Sequence, residues 1–236
     1  GLVDASVGIK TGINWEGRRN RLGSYHPPLV SYLDKNFLKT LPTLELQSGL
    51  GEILKIAVIK DFGLFCLLHK HGRELVTSKF EHECADEVIR EAIRGMAEEL
   101  VHNLWETNLA RLVDFGHSFS PVIEMRSLTT QTPLTHGQAV VLDMIFSSIL
   151  SYHRNLLCRT NLNLLIYTTK QIGLPVSHTL FWEPLLLWES LQDTMRHRNG
   201  NQNLPVPVTL GTAQFINDAT YEEIKEGVKT WKEIVQ

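Results

Sequence analysis

Three side chains of metal-binding type lie in unusual sequence contexts. Glu52 ends the segment Gly49-Leu50-Gly51-Glu52, where two glycines allow another backbone or a ligand to approach closely. His117 follows Phe115-Gly116, and His136 lies at a predicted helix start. Two histidines and one carboxylate can form the ligand set of a catalytic zinc, because they leave a coordination position open for substrate. The residues alone leave an alternative open, which is a surface glutamate with two capping or core histidines.

A second cluster combines charged side chains and glycines within the first 23 residues. Its charged and amide members are Asp4, Lys10, Arg18, Arg19, Asn20 and Arg21, interleaved with Gly8, Gly12, Gly17 and Gly23. Such cations, together with free backbone N–H groups, suit a phosphate ester. A basic, solvated loop accounts for the same composition equally well.

The composition argues against several classes of protein. The net charge is −3 over 236 residues with both signs mixed, so we expect no nucleic-acid partner. No apolar run approaches the roughly 18 to 20 residues that span a bilayer, so we expect no membrane segment. The three cysteines are odd in number and far apart. This argues against a disulfide framework and favours a reducing, cytoplasmic location.

The spacing of apolar residues predicts a mainly α fold. Predicted helices cover residues 43–59, 89–104, 136–152, 161–172 and 184–195, and a capping box of Thr220 and Glu223 begins a last helix to about Val235. We predict short strands at residues 29–34 and 204–210, and an irregular N-terminal lobe over residues 1–28. His69 and His71 are predicted to lie at a helix end beside Gly72.

Several short motifs occur in the order found in the 3-dehydroquinate synthase superfamily. Residues 3–14, Val-Asp-Ala-Ser-Val-Gly-Ile-Lys-Thr-Gly-Ile-Asn, resemble that family's phosphate- and substrate-binding segment. Phe37-Leu38-Lys39-Thr40-Leu41-Pro42, the Gly-Glu-x-x-Lys motif at 51–55, Phe115-Gly116-His117-Ser118-Phe119 and His136-Gly137 follow. The resemblance implies the C-terminal, helical part of that fold. Residues 1–42 would be left over from a nucleotide-binding domain, and residues 43–236 would bind metal and substrate.

The resemblance also implies roles for individual residues. Glu52, His117 and His136 would bind zinc, or cobalt in its place. Substrate contacts are implied for Asp4, Lys10, Arg19, Asn20 and Lys55, and a contact with NAD for Phe37, Leu38, Lys39 and Thr40. Glu106 takes the position of a proton acceptor, and Lys10 and Lys55 are further catalytic candidates.

Departures from the family pattern point to its 2-epi-5-epi-valiolone synthase branch. Met96 and Ala110 stand where 3-dehydroquinate synthase has a lysine and an arginine for its substrate's carboxylate, and Asp114 adds a negative charge. Leu100, Asp114, the run 117–121 and the triplet Arg196-His197-Arg198 are similar to that branch. The similarity implies substrate contacts from Leu100, Asp114 and His197. Such a site suits the neutral polyol end of sedoheptulose 7-phosphate.

The implied activity is cyclisation of sedoheptulose 7-phosphate with loss of phosphate, through oxidation by NAD, elimination, reduction and aldol closure. A homodimer is implied for the full-length protein. We expect the 236-residue chain alone to be inactive or nearly so, because the family's nucleotide-binding half precedes the motif at which it begins. Another cyclase such as 3-dehydroquinate synthase, an iron-type alcohol dehydrogenase and a non-catalytic helical interaction module stay open as alternatives.

Overall fold

Two long helices form the centre of the protein. A computed structural model describes residues 1–16 and 18–235, except for the side chains of 18–21. Helix α1 (Thr43–Lys60) packs on α5 (His136–His153). Every residue of α5 from 139 to 151 is buried, as expected of a helix that is apolar on all sides. A capping box of Thr135 and Gln138 starts α5.

In the residues that the structure describes, six further helices surround this pair, and the predicted mainly α fold is confirmed. They are α2 (Phe62–Thr77), α3 (Ala85–Leu100), α4 (Ser120–Ser127), α6 (Arg159–Ile172), α7 (Pro184–His197) and α8 (Tyr221–Val235). Helices α2 and α3 pack on α1, whereas α4, α6 and α8 pack on α5. The short α4 was not predicted from the sequence.

The expected helix end beside Gly72 is wrong, because α2 continues to Thr77. A side chain at Gly72 would lie 2.6 Å from a side-chain carbon of Ile172 in α6. The glycine therefore permits close packing of two helices and does not mark a terminus.

The strands form two separate antiparallel hairpins. Strand β1 (Ile13–Trp15) pairs with β2 (Arg18–Leu22), and β3 (Leu204–Thr209) pairs with β4 (Thr212–Ile216). The strand predicted at 204–210 is therefore confirmed, whereas β4 and the N-terminal hairpin were not predicted.

The strand predicted at 29–34 is wrong. In the part of the chain that the structure describes, this segment makes no ladder with another strand. Its Leu29, Val30 and Tyr32 side chains are exposed. A β-branched and aromatic run needs a partner strand before it becomes a sheet.

None of the helices in the described residues combines the length and the apolarity needed to cross a lipid bilayer.

Candidate metal and substrate site

A close crossing of α1 and α5 brings the first metal-ligand candidates together. A side chain at Gly51 would lie 2.8 Å from the carbonyl oxygen of Gly137, and one at Gly137 would lie 2.0 Å from that of Ser48. Only glycine fits at these two points. The Ser48 hydroxyl also accepts a hydrogen bond from the Gly137 amide at 2.9 Å. The crossing places Glu52 of α1 beside His136, the first residue of α5.

The carboxylate of Glu52 and the imidazoles of His117 and His136 converge at this crossing. One ligand atom from each lies within 4.8 Å of the other two. Oε1 of Glu52 is 2.9 Å from Nε2 of His136 and 3.7 Å from Nε2 of His117. Two ligands that are each about 2.0–2.1 Å from a tetrahedral zinc lie about 3.3 Å apart, so this spacing fits one ion.

The outer nitrogens of both imidazoles have partners that orient the rings. Nδ1 of His136 lies 3.0 Å from Oε2 of Glu124, and Nδ1 of His117 lies 3.2 Å from the carbonyl oxygen of Phe115. A proton on each Nδ1 leaves Nε2 as the metal-binding nitrogen. Glu124 was not predicted from the sequence. Its position four residues after Ser120 on α4 gave no signal before the helix was known.

Asp143 of α5 positions the loop that contains His117. One carboxylate oxygen of this fully buried residue accepts hydrogen bonds from the backbone N–H groups of Ser118, Phe119 and Ser120, at 2.9, 2.6 and 2.8 Å. Burial raises the pKa of Asp143 to about 6, against the opposing effect of these donors. The three N–H groups belong to the start of α4, so Asp143 fixes both this helix start and the neighbouring histidine.

Lys55 and Asp4 lie on the substrate side of Glu52. Nζ of the buried Lys55 is 2.6 Å from Oε2 of Glu52 and 3.7 Å from Oδ2 of Asp4. Burial favours the neutral amine, but the two carboxylates outweigh it and raise the pKa of Lys55. Burial alone would also raise the pKa of Glu52. Lys55 and the two imidazoles instead hold the pKa of Glu52 well below its usual value.

A narrow cavity of about 80 Å³ opens beside this cluster. Its walls include five of the predicted substrate contacts, namely Asp4, Lys10, Lys55, Leu100 and Asp114. The predicted proton acceptor Glu106, the predicted zinc ligand His117, and Met96 and Arg111 also line it. The sequence segments 4–10, 55 and 96–117 therefore meet at one place, although they are far apart in the chain.

The carboxylate of Glu106 contacts three polar side chains at the cavity wall. It lies 2.7 Å from Nζ of Lys10, accepts a hydrogen bond from the Tyr25 hydroxyl and forms a close ion pair with Arg111. Burial favours the protonated acid, but Lys10 and Arg111 outweigh it and lower the pKa of Glu106. Its φ of 53° is in the left-handed region, where the backbone of a glutamate is strained.

Arg198 is a site residue that the sequence argument did not select. Its guanidinium is buried, lies 3.4 Å from Oδ2 of Asp114 and donates hydrogen bonds to the carbonyl oxygens of Gln202 and Asn203. Arg111 contacts the same carboxylate at 2.6 Å. Asp114 is therefore held between two arginines. The triplet 196–198 was the sequence signal for this part of the site, but the substrate contact was predicted for His197.

The remaining predicted residues lie elsewhere. His197 is 67% exposed at the end of α7, faces Asp193 at 3.8 Å and does not line the cavity. Phe37 to Thr40 form a surface 3₁₀ turn (Lys35–Thr40), in which Phe37 is 73% exposed and Lys39 pairs with Glu81. The side chains of Arg19 and Asn20 lie outside the described part of the structure, so their predicted roles stay predictions.

Two family models together match residues 1–198 of the chain. A model of the C-terminal part of 3-dehydroquinate synthase matches residues 49–198, and one of the N-terminal part matches residues 1–48. The chain belongs to the 3-dehydroquinate synthase family. The family predicted from the sequence motifs is thereby confirmed.

Within the family, the chain is more similar to 2-epi-5-epi-valiolone synthases than to 3-dehydroquinate synthases. A 2-epi-5-epi-valiolone synthase of an Actinoplanes species is 46% identical over 231 residues, which are 95% of this chain and 57% of the relative. A 3-dehydroquinate synthase of Prochlorococcus marinus is 30% identical over 228 residues, covering 95% of this chain and 60% of the relative. This chain thus spans little more than half the length of these curated relatives.

A solved structure agrees with the fold and the branch. The 2-epi-5-epi-valiolone synthase of Streptomyces hygroscopicus, solved with NAD⁺ and Zn²⁺ bound, superposes with a TM-score of 0.94 at 45% identity. The match covers 99% of this chain and 64% of that structure. A 2-deoxy-scyllo-inosose synthase, at 20% identity and a TM-score of 0.73, shares the fold.

Proposed function

We propose that this chain forms the metal- and substrate-binding part of a sugar phosphate cyclase that converts sedoheptulose 7-phosphate to 2-epi-5-epi-valiolone and releases phosphate. The convergence of Glu52, His117 and His136 beside a polar cavity is the observation that carries the proposal. Identity of 46% to a synthase of this type supports the branch. We also expect a cytoplasmic homodimer for the full-length protein, to be measured by sedimentation and cell fractionation.

Glu52, His117 and His136 would hold a divalent ion, with zinc or cobalt as the candidates. Bound zinc would supply a Lewis acid that polarises a substrate oxygen. NAD would supply reversible oxidation and would be regenerated within each turnover. We place its contact with this chain at Phe37, Leu38, Lys39 and Thr40.

Lys10 and Lys55 are the cations that we assign to the substrate. Lys10 is half exposed at the cavity wall and can leave Glu106 for a phosphate, because an ammonium group rotates freely around its flexible stem. Arg19 and Asn20 complete the phosphate contact in this proposal. Lys55 is buried between Glu52 and Asp4, so it would orient a hydroxyl next to the metal and would not move.

Glu106 is the proposed proton acceptor. Its contact with Lys10 lowers its pKa and weakens it as a base. A phosphate that draws Lys10 away would raise the pKa of Glu106 and make it more basic when substrate is bound. Substrate binding and proton acceptance are then coupled through one lysine.

The polyol end of the substrate would lie against Met96, Leu100 and Asp114. Met96 and Leu100 are buried and apolar, and they cannot pair with an anion. Asp114 can accept hydrogen bonds from hydroxyl groups at the lone pairs that Arg111 and Arg198 leave open. These contacts favour sedoheptulose 7-phosphate over the carboxylate-bearing substrate of 3-dehydroquinate synthase. We assign no substrate contact to His197 in the described arrangement.

Phosphate release from sedoheptulose 7-phosphate tests the proposal, in the presence of NAD⁺ and Zn²⁺. The chain is assayed alone and preceded by the N-terminal part of the Streptomyces hygroscopicus relative. We expect turnover by the longer polypeptide, little by the chain alone, and loss of turnover and bound zinc in Glu52→Gln. Glu45→Gln, an exposed residue of the same helix, is the matched control.

Two outcomes would contradict the proposal. Preference for the carboxylate-bearing substrate would assign the chain to 3-dehydroquinate synthase. Absence of turnover together with absence of bound zinc would favour a non-catalytic helical module.

A further inference from the structure

A second group of metal-binding side chains lies between α2 and α3, away from the cavity. It comprises His71 of α2 with His82 and Cys84 of the loop before α3, and we call it the loop cluster. One ligand atom from each residue lies within 4.8 Å of the other two. The histidine rings are 4.7 Å apart between centroids, and Nδ1 of His82 is 3.2 Å from Sγ of Cys84. None of the three lines the cavity beside Glu52.

The spacing and donor types of the loop cluster fit a tetrahedral ion. With zinc at about 2.0–2.1 Å from nitrogen and about 2.3 Å from sulfur, a nitrogen and a sulfur ligand lie about 3.5 Å apart. The observed 3.2 Å is close to that separation. Two imidazoles and a thiolate leave a fourth position for water, and this donor set binds zinc, cobalt or copper more readily than magnesium or calcium.

Burial and charge around Cys84 also favour a cation. Its side chain is only 8% exposed, and both histidines are half buried, so an ion would be largely shielded from water. The nearby carboxylates of Glu87, Glu83 and Glu74 attract a divalent ion electrostatically. Binding of the ion would release the thiol proton to solvent.

The backbone holds the cluster in place. The His82 amide donates to the Ser78 hydroxyl at 3.1 Å, and the Cys84 amide lies 3.3 Å from Nδ1 of His82. His71 is fixed by α2, which extends six residues beyond it to Thr77. An ion shared by the three residues would join the second half of α2 to the start of α3.

We propose that His71, His82 and Cys84 form a second divalent-metal site of the zinc class. It does not depend on the proposed cyclase activity, because it uses none of the cavity residues. The competing explanation is a loop held by its own hydrogen bonds, with Nδ1 of His82 accepting from the Cys84 amide and thiol.

Cobalt titration distinguishes the two sites, because a cobalt–thiolate bond gives a charge-transfer absorption band that nitrogen and oxygen ligands lack. The titration uses the whole chain with Cys66→Ser and Cys158→Ser, which remove the two exposed thiols. We expect a band whose final amplitude corresponds to one cobalt–thiolate site per chain and which disappears in Cys84→Ser. His117→Ala should leave the band unchanged.

Histidine variants keep the proposal testable if Cys84→Ser folds poorly. His71→Ala and His82→Ala should each weaken the cobalt affinity at least tenfold. His69→Ala, two residues away on α2 and outside the cluster, should leave it unchanged. In a His117→Ala background, where the site at Glu52 is disabled, circular dichroism melting with and without Zn²⁺ should show a metal-dependent rise in Tm that His71→Ala removes. The proposal is overturned if excess cobalt gives no band, or if His71→Ala binds cobalt as tightly as the parent.

Discussion

Replacing Gly137 with alanine tests whether the close crossing of α1 and α5 builds the metal site. The added methyl carbon would lie 2.0 Å from the carbonyl oxygen of Ser48. An ordinary van der Waals contact begins at 3.4 Å, so the helices must separate by about 1.4 Å. Backbone atoms form this contact, so no side chain can rotate to relieve it.

The separation should act on stability and on metal binding together. Overpacking of this kind costs about 1–3 kcal/mol. For a chain of this length, that lowers Tm by roughly 2–12 °C. Oε1 of Glu52 and Nε2 of His136 are 2.9 Å apart and would move beyond ligand spacing, because a functional site tolerates displacements of only about 0.5 Å. We expect the zinc affinity to fall at least tenfold, measured by competition with a chelator.

Gly49→Ala is the matched control for this experiment. Gly49 lies on the same helix, but a side chain there would meet no atom within 4 Å. Alanine should raise the unfolding free energy by about 0.5–1 kcal/mol through helix propensity, and leave the zinc affinity unchanged. The reasoning is refuted if Gly137→Ala keeps both the Tm and the zinc affinity of the parent.

Three further predictions concern charged residues around the site. Because the pKa of Asp143 is raised from 3.8 to about 6, its contribution to stability is fully present below about pH 4 and falls by about 3 kcal/mol as the pH rises through 6. Urea unfolding should show this dependence in the parent and not in Asp143→Asn. Lys10→Met should raise the pKa of Glu106, measured by carbon NMR titration; an unchanged pKa would contradict the coupling between these two residues. Arg198→Met should cost about 1–3 kcal/mol in urea unfolding, because it leaves the carbonyl oxygens of Gln202 and Asn203 without their side-chain donor, although Asp114 keeps Arg111 as a partner. Arg196→Met, at a side chain that is 76% exposed, should stay within about 0.5 kcal/mol of the parent.

The sequence predicted the helices whose apolar spacing is regular and failed where tertiary packing decides. Helices α1 and α5 carry strong apolar patterns and clear start signals, so their starts agree with the structure to within a residue. Gly72 looked like a stop signal because its packing partner, Ile172, is 100 residues away in the chain. Residues 29–34 have strand composition but no strand beside them in the described structure, and composition contains no information about partners.

Some residues of the candidate site could be predicted from the sequence, and others could not. Glu52, His117 and His136 could be selected by residue type and motif, and the structure places their ligand atoms together. Asp143 could have been found, because it is a lone charge within the apolar run 139–146 of α5, and a buried charge needs a partner. Glu124 has no such signal. It contacts His136 only because α4 packs across the start of α5.

The charges around the cavity explain why a metal and a phosphate would bind there together. In the described residues, four cations meet four carboxylates: Lys10, Lys55, Arg111 and Arg198 against Asp4, Glu52, Glu106 and Asp114. Each cation is already paired, so this set alone offers no excess charge to a phosphate ester. A divalent ion at Glu52 would add two positive charges, and a phosphate ester carries about 1.5 to 2 negative charges near pH 7. Each ligand then offsets the charge that the other introduces into a confined space. Metal binding should therefore strengthen phosphate binding, and phosphate binding should strengthen metal binding by the same factor.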